Sequence, residues 1–110
     1  MKFGLTATQL QEIVDFIGQY TEVESAVIFG SRAQGNYKPS SDVDIALKGE
    51  ELSHGLAAQM KHNLEENSIL PFFVDFVCYD LLTDKDLKAS IDVHGEIIYP
   101  ATYYSLKSSL

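Results

Sequence analysis

The sequence predicts a small α/β domain, and three observations support this fold class. Segments in which apolar residues recur with helical spacing alternate with short runs rich in β-branched and aromatic residues. Glycine, proline and serine separate these segments, as is typical of turns. The length of 110 residues suits a single domain. We expect a mixed sheet of about four strands, flanked by about three helices that pack on one side.

The chain starts with a helix that is followed by a buried strand. Apolar residues recur on one helical face: Leu10, Ile13, Val14 and Ile17. Thr8 with Gln11 predicts a capping box at the helix start, and Gly18 lies near its end. The apolar run over residues 25–29 ends at Gly30 and predicts a strand that enters a turn.

A loop, a second strand and a second long helix follow. Residues 30–41 are rich in glycine and serine and predict a loop, with one helical turn after Ser31. Residues 42–47 alternate apolar and polar side chains, which is typical of a strand. The next helix is expected over about 51–67, where apolar residues recur every four positions: Leu52, Leu56, Met60 and Leu64.

The last part of the domain repeats the strand–helix–strand pattern. A third strand is expected over residues 72–79, with side chains alternating between two faces. Thr83 is expected to cap a helix that ends near Gly95, and residues 96–99 predict a last short strand.

One domain is therefore expected over residues 1–100, followed by a tail over residues 101–110. The tail has no periodic pattern. We expect it to fray, or to dock on a partner through Tyr103 and Tyr104.

The charge balance excludes several classes of function. Lysine and arginine total 8 and aspartate and glutamate total 16, so the net charge is −8. This chain cannot easily supply the basic surface of a non-specific nucleic-acid binder or of a protein that binds anionic membranes. A basic partner or a metal ion suits it better. The single cysteine, Cys78, and the scattered histidines exclude a Cys/His zinc site, and we expect a cytoplasmic protein.

Three aspartates occupy strand positions that are normally apolar. Asp42 and Asp44 are two residues apart, so both side chains leave the same face of their strand. Asp75 lies inside the third predicted strand. If the two strands are neighbours, the three carboxylates converge and suit Mg²⁺ or Mn²⁺, as in a two-metal phosphoryl-transfer site. Taken singly, each aspartate is more often a solvated strand end or a turn cap.

A glycine–serine pair directly follows the first buried strand. Gly30 allows the backbone to approach a ligand closely, and a helical turn from Ser31 directs N–H groups towards an anion. A phosphate-binding turn and a pair of aspartates on successive strands are what a nucleoside triphosphate with its metal requires. Arg32 has two equally weighted roles: it clamps a phosphate, or it ties down the loop by pairing with an acidic neighbour.

These residues occur with a spacing that resembles a known family signature. Ten residues separate Gly30-Ser31 from Asp42-Val43-Asp44, and this matches the G-S-x10-D-x-D motif of the DNA polymerase β-like nucleotidyltransferases. The wider stretch looks like the minimal nucleotidyltransferase branch: VIFGSRAQGNYKPSSDVDIAL. The motif is highly specific, and the resemblance runs from about residue 26 to residue 79. It implies a polymerase β-like nucleotidyltransferase fold.

The resemblance implies a role for each site residue. Gly30 and Ser31, with Arg32 as a further candidate, would bind the phosphates of the nucleotide. The three aspartates would bind two Mg²⁺ ions, and Asp75 would also help to activate the attacking hydroxyl. The implied reaction transfers a nucleoside monophosphate, AMP from ATP, to a hydroxyl acceptor and releases pyrophosphate.

The small size points to an acceptor outside the chain. Stand-alone minimal nucleotidyltransferases resemble the antitoxin of a two-protein toxin–antitoxin system. The partner there is a helical HEPN toxin that receives AMP on a tyrosine. Two alternatives stay open: a non-catalytic module that neutralises such a partner by forming a complex, and a small-molecule nucleotidyltransferase that acts as a homodimer. Direct binding of nucleic acid or of a membrane is not expected.

Overall fold

The structure is a computed structural model that describes residues 1–100. The tail over residues 101–110, with Tyr103 and Tyr104, lies outside the described residues. The elements follow one another in this order: α1 (Ala7–Ile17), β1 (Ser25–Phe29), α2 (Gly30–Gln34), β2 (Val43–Lys48), α3 (His54–Asn67), β3 (Val74–Cys78), a 3₁₀ turn (Tyr79–Leu81), α4 (Lys85–His94) and β4 (Glu96–Tyr99).

The four strands form one mixed sheet in the order β3-β2-β1-β4. β1 pairs antiparallel with both β2 and β4, whereas β2 and β3 are parallel. A parallel pair needs a crossover connection, and α3 supplies it. The predicted mixed sheet of four strands is confirmed, and the helical turn expected after Ser31 is the short helix α2.

Helices cover both faces of the sheet, so the expectation of helices on one side was wrong. α1 and α3 pack on the face that carries the main core, which includes Ile13, Ile17, Ile28, Ile45, Met60, Leu64 and Phe76. α4 packs on the other face, where Ile91 contacts Val27, Phe29 and Ala46. The continuous apolar run of β1 already indicated this arrangement, because a strand buried on one face only would alternate.

Two helix caps differ from the predicted ones, and each difference has a physical cause. The capping box of α1 uses Thr6 and Gln9 instead of Thr8 and Gln11. Both pairs have the required spacing, but the observed one places buried Leu5 immediately before the cap, and Leu10, the fourth helical residue, packs against the same core, which is the pattern of a hydrophobic staple. α4 is capped by Asp84 instead of Thr83, because the Asp84 carboxylate accepts two backbone N–H groups.

Other boundaries moved by a few residues. α3 begins after Ser53, whose hydroxyl accepts the N–H of Leu56, so it is shorter than the predicted 51–67. β3 begins at Val74, two residues later than expected, and β2 begins at Val43 and ends at Lys48. Within residues 1–100, none of the helices combines the length and apolar composition needed to cross a membrane.

Candidate active site

Two of the predicted aspartates lie side by side on the sheet. Asp44 of β2 and Asp75 of β3 are direct neighbours in the parallel register. Both are partly buried, and the residues flanking Asp44 and Asp75 along their strands point into the main core, so the two carboxylates share the opposite face. Neighbouring strands are about 4.8 Å apart. The expected pairing of these two strands is therefore observed.

Asp42 lies just before β2, and within residues 1–100 it does not join this pair in a cluster of three carboxylates, so the expected convergence holds for Asp44 and Asp75 alone. The Asp42 side chain is exposed, and its charge acts on Asp44. Burial raises the pKa of the Asp44 carboxyl, and the negative charges of Asp75 and Asp42 raise it further. A carboxyl pKa raised by neighbouring carboxylates marks a place where a cation would relieve repulsion.

The turn after β1 brings the backbone against Asp44. Gly30 opens α2 with φ +73°, and a Cβ at this position would lie 2.5 Å from Oδ2 of Asp44. Only glycine fits such a close approach in this backbone conformation. Phe29, the residue that precedes the helix, provides no side-chain cap. The N-terminus of α2 therefore has no side-chain cap, and its first residue, Gly30, lies against the Asp44 carboxylate.

Arg32 serves the loop instead of the open site. Its side chain is 2% exposed. Nε and Nη2 donate to the carbonyl of Ser41 at 2.9 and 2.7 Å, Nη1 to that of Phe3 at 2.9 Å, and Nη2 also to that of Pro39 at 3.1 Å. The guanidinium also contacts an aromatic ring, with its carbon 4.7 Å from the centre of the Phe72 ring.

These contacts favour the loop-tying role of Arg32. The partners are backbone carbonyls, however, and not the acidic neighbour that the sequence suggested. The Arg32 side chain is buried and donates to backbone carbonyls. We therefore assign it the role of holding the loop before Asp42 and do not assign it to phosphate binding. Burial lowers the pKa of this guanidinium, an effect that Tyr37 and Asp42 oppose.

Lys61 is a site residue that the sequence reasoning missed. Its ammonium lies 2.7 Å from Oδ1 of Asp75 and 3.1 Å from Oε1 of Glu65. The hydrogen bond to Asp75 is the main reason why the pKa of Lys61 is raised. The spacing of Lys61 and Glu65 on one helix was visible in the sequence, but the contact with Asp75 depends on how α3 lies along β3.

The donor set fits a magnesium ion that is shared with a nucleotide. Within residues 1–100, no group of three or more His, Cys, Asp or Glu side chains is close enough together to hold a metal ion. Mg²⁺ commonly uses only one or two carboxylates and takes its other ligands from substrate phosphates and water. Asp44 and Asp75, with the backbone of Gly30 against Asp44, match that requirement in ligand type and position.

A cleft opens beside Lys61. It has a volume of about 320 Å³ and is lined by residues that include Lys61, Leu64, Phe72 and Phe73. Phe73 is 58% exposed, whereas Phe76 of β3 is buried. The Lys61 ammonium lies 5.1 Å from the centre of the Phe73 ring. This rim therefore combines an aromatic surface with a charged group next to Asp75.

Comparison with known proteins decides the family. The family model described as polymerase beta, nucleotidyltransferase matches residues 11–102. The chain belongs to this family. It is therefore a nucleotidyltransferase, and the fold, the Gly30–Asp44 contact and the Asp44–Asp75 pair are in keeping with that activity.

Solved structures of toxin–antitoxin complexes have the same fold. A chain of a toxin–antitoxin with AMP-PNP aligns with a TM-score of 0.69 at 18% identity, covering 91% of this chain and 90% of that one. A chain of the toxin–antitoxin MntA–HepT aligns with a TM-score of 0.66 at 15% identity, covering 94% and 92%. None of the curated proteins is significantly similar in sequence.

Proposed function

We propose that this nucleotidyltransferase transfers AMP from ATP to a hydroxyl group of a toxin protein and thereby acts as an antitoxin. The observation that carries the proposal is the joint placement of Asp44, Asp75 and the Gly30 backbone, which suits a metal–triphosphate complex. The similarity in fold to toxin–antitoxin chains, one of them with AMP-PNP, supports the choice of nucleotide and of biological role.

Each residue of the proposed site has a distinct task. The N–H groups at Gly30 and Ser31 would donate to phosphate oxygens, and Asp44 and Asp75, with exposed Asp42 nearby, would hold Mg²⁺ ions. When bound, Mg²⁺ would neutralise charge on the triphosphate and favour in-line attack. Asp75 also takes the proton of the acceptor hydroxyl as its oxygen attacks. That oxygen forms a bond to the α-phosphorus, the bond from this phosphorus to the β-phosphate oxygen breaks, and pyrophosphate leaves.

We propose a tyrosine of a helical HEPN-type toxin as the acceptor, so that the working unit is a hetero-oligomer in the cytoplasm. Asp75 lies on the edge strand with its side chain 39% exposed, so the hydroxyl of a partner's tyrosine can reach its carboxylate from outside the chain. The net charge of −8 favours a basic partner.

The test uses purified chain, a HEPN-type toxin, Mg²⁺ and ATP labelled on the α- or the γ-phosphate. We expect the α-label on the toxin and the γ-label in released pyrophosphate. Asp44→Asn should abolish the labelling of the toxin and the release of pyrophosphate, because it removes a metal-binding carboxylate while keeping the size and shape of the side chain. Label from γ-ATP on the toxin would instead show phosphoryl transfer and would overturn the proposal.

A binding module is the second candidate, and the Lys61–Asp75 ion pair favours it, because a neutralised carboxylate can be purely structural. In that case Asp44→Asn and Asp75→Asn would leave toxin neutralisation intact. Loss of neutralisation with the complex still formed would exclude the binding module and support transfer.

A further inference from the structure

One ion pair connects helix α3 to the proposed metal site. Lys61 extends from α3 to Asp75 on β3, which is the edge strand of the sheet. Its ammonium contacts Oδ1 of Asp75 and not Oδ2. The Lys61 and Asp75 side chains are 36% and 39% exposed, so the pair is accessible to water. An ion pair of this exposure forms and breaks readily, because water solvates both charges when they separate.

The same ammonium already has a second carboxylate within reach. Glu65 lies one helical turn further along α3, and its Oε1 is 3.1 Å from Nζ of Lys61. Asp75 is a proposed metal ligand, whereas Glu65 lies on the helix. The ring of Phe73 lies beneath the ammonium and adds a cation–π contact. When Lys61 leaves Asp75, its ammonium therefore keeps the Glu65 carboxylate and the Phe73 ring as partners.

We propose that Lys61 is a displaceable counter-ion of the metal site. In the absence of metal, its positive charge neutralises the negative charge of the Asp75 carboxylate next to Asp44. When a divalent cation binds the two aspartates, Lys61 leaves Asp75 and pairs with Glu65 alone. The physical reason is competition, since the ammonium and the divalent ion draw on the same carboxylate and repel each other at short distance. Lys61 thereby weakens metal binding by the protein alone and makes it depend on the oxygens that a nucleotide brings. This inference rests on the proposed metal site.

The test measures Mn²⁺ binding to the full chain without nucleotide, by the loss of the electron paramagnetic resonance signal of free Mn²⁺. Lys61→Met should bind Mn²⁺ roughly tenfold more tightly than wild type, since the competing charge is gone. Lys61→Arg should stay near wild type. If Lys61→Met does not fold, Lys61→Gln removes the same charge. An unchanged or weaker affinity after removal of the charge would overturn the proposal.

A double-mutant cycle separates a displaceable counter-ion from a general effect of charge. Glu65→Gln should weaken Mn²⁺ binding roughly threefold in wild type, because Lys61 then has Asp75 as its remaining partner. In the Lys61→Met background the same change should have little effect, since Glu65 acts through Lys61. Glu66→Gln, with the same change in net charge one residue away, is the control. Equal effects of Glu65→Gln in both backgrounds would overturn the proposal.

The outcome for Asp44→Asn distinguishes this inference from the proposed metal site. If Asp44→Asn abolishes Mn²⁺ binding while Lys61→Met leaves it at the wild-type level, the metal site stands and the role of Lys61 is refuted. If Mn²⁺ binds wild type and Asp44→Asn equally, the site itself is wrong and the inference fails with it.

Discussion

The substitution Gly30→Ala tests the geometry of the site most sharply. Gly30 has φ +73°, and an added Cβ would lie 2.5 Å from Oδ2 of Asp44, where ordinary contacts are 3.4–4 Å. The positive φ costs about 1–2 kcal/mol in stability for alanine. The collision must also displace the Asp44 carboxylate or the turn by about 1 Å, and a misplacement of that size costs on the order of 100-fold in rate.

Gly35→Ala is the matched control. Gly35 also has a positive φ, +86°, but nothing lies within 4 Å of its Cβ position. It should lose the same 1–2 kcal/mol in urea unfolding, because the backbone strain is shared, and keep its rate of nucleotidyl transfer. Gly30→Ala should lose more stability and about 100-fold in rate. Equal stability and equal rates for the two variants would refute the reasoning.

Three further predictions concern stability, each measured as the urea midpoint. Asp44→Asn should stabilise the metal-free protein at pH 7, because the pKa of Asp44 is raised and its charge is unfavourable in the fold. This advantage should disappear as the pH falls below the ordinary value of 3.8, where the Asp44 carboxyl is protonated in both the folded and the unfolded state; a variant less stable than wild type at pH 7 would contradict it. Arg32→Lys should lower the free energy of unfolding by about 2–4 kcal/mol, because a lysine ammonium cannot reach the three carbonyls that the planar guanidinium reaches. An unchanged urea midpoint would count against the loop-tying role. Asp84→Ala should cost about 1 kcal/mol through loss of the helix cap, whereas Thr83→Ala should be neutral; the reverse order would restore the original prediction of the cap.

The alternation of side chains along β2 and β3 was enough to predict that the carboxylates of Asp44 and Asp75 meet on one face of the sheet. Asp44 and Asp75 each stand in a row of core residues that point the other way, so pairing of these strands had to bring both carboxylates to one face. The apolar run of β1 predicted its burial in the same way. Both features can be predicted from the sequence alone, because the spacing of apolar residues along a strand is a local property and indicates which of its faces are buried.

Other features depend on contacts that no local pattern encodes. Two overlapping capping boxes compete at the start of α1, and the burial of Leu5 decides between them. The carbonyl groups that accept from Arg32 belong to two segments, at Phe3 and at Ser41, and no sequence pattern predicts that these segments meet. The contact between Lys61 and Asp75 requires the crossover from α3 to β3 to be in place first.

The most direct test of the central claim is the intact mass of a HEPN-type toxin after co-expression with this chain, wild type against Asp44→Asn. The account predicts that the toxin gains one or more adenylate masses with wild type and none with Asp44→Asn. A toxin of unchanged mass that is nevertheless neutralised and co-purifies with both chains would contradict it.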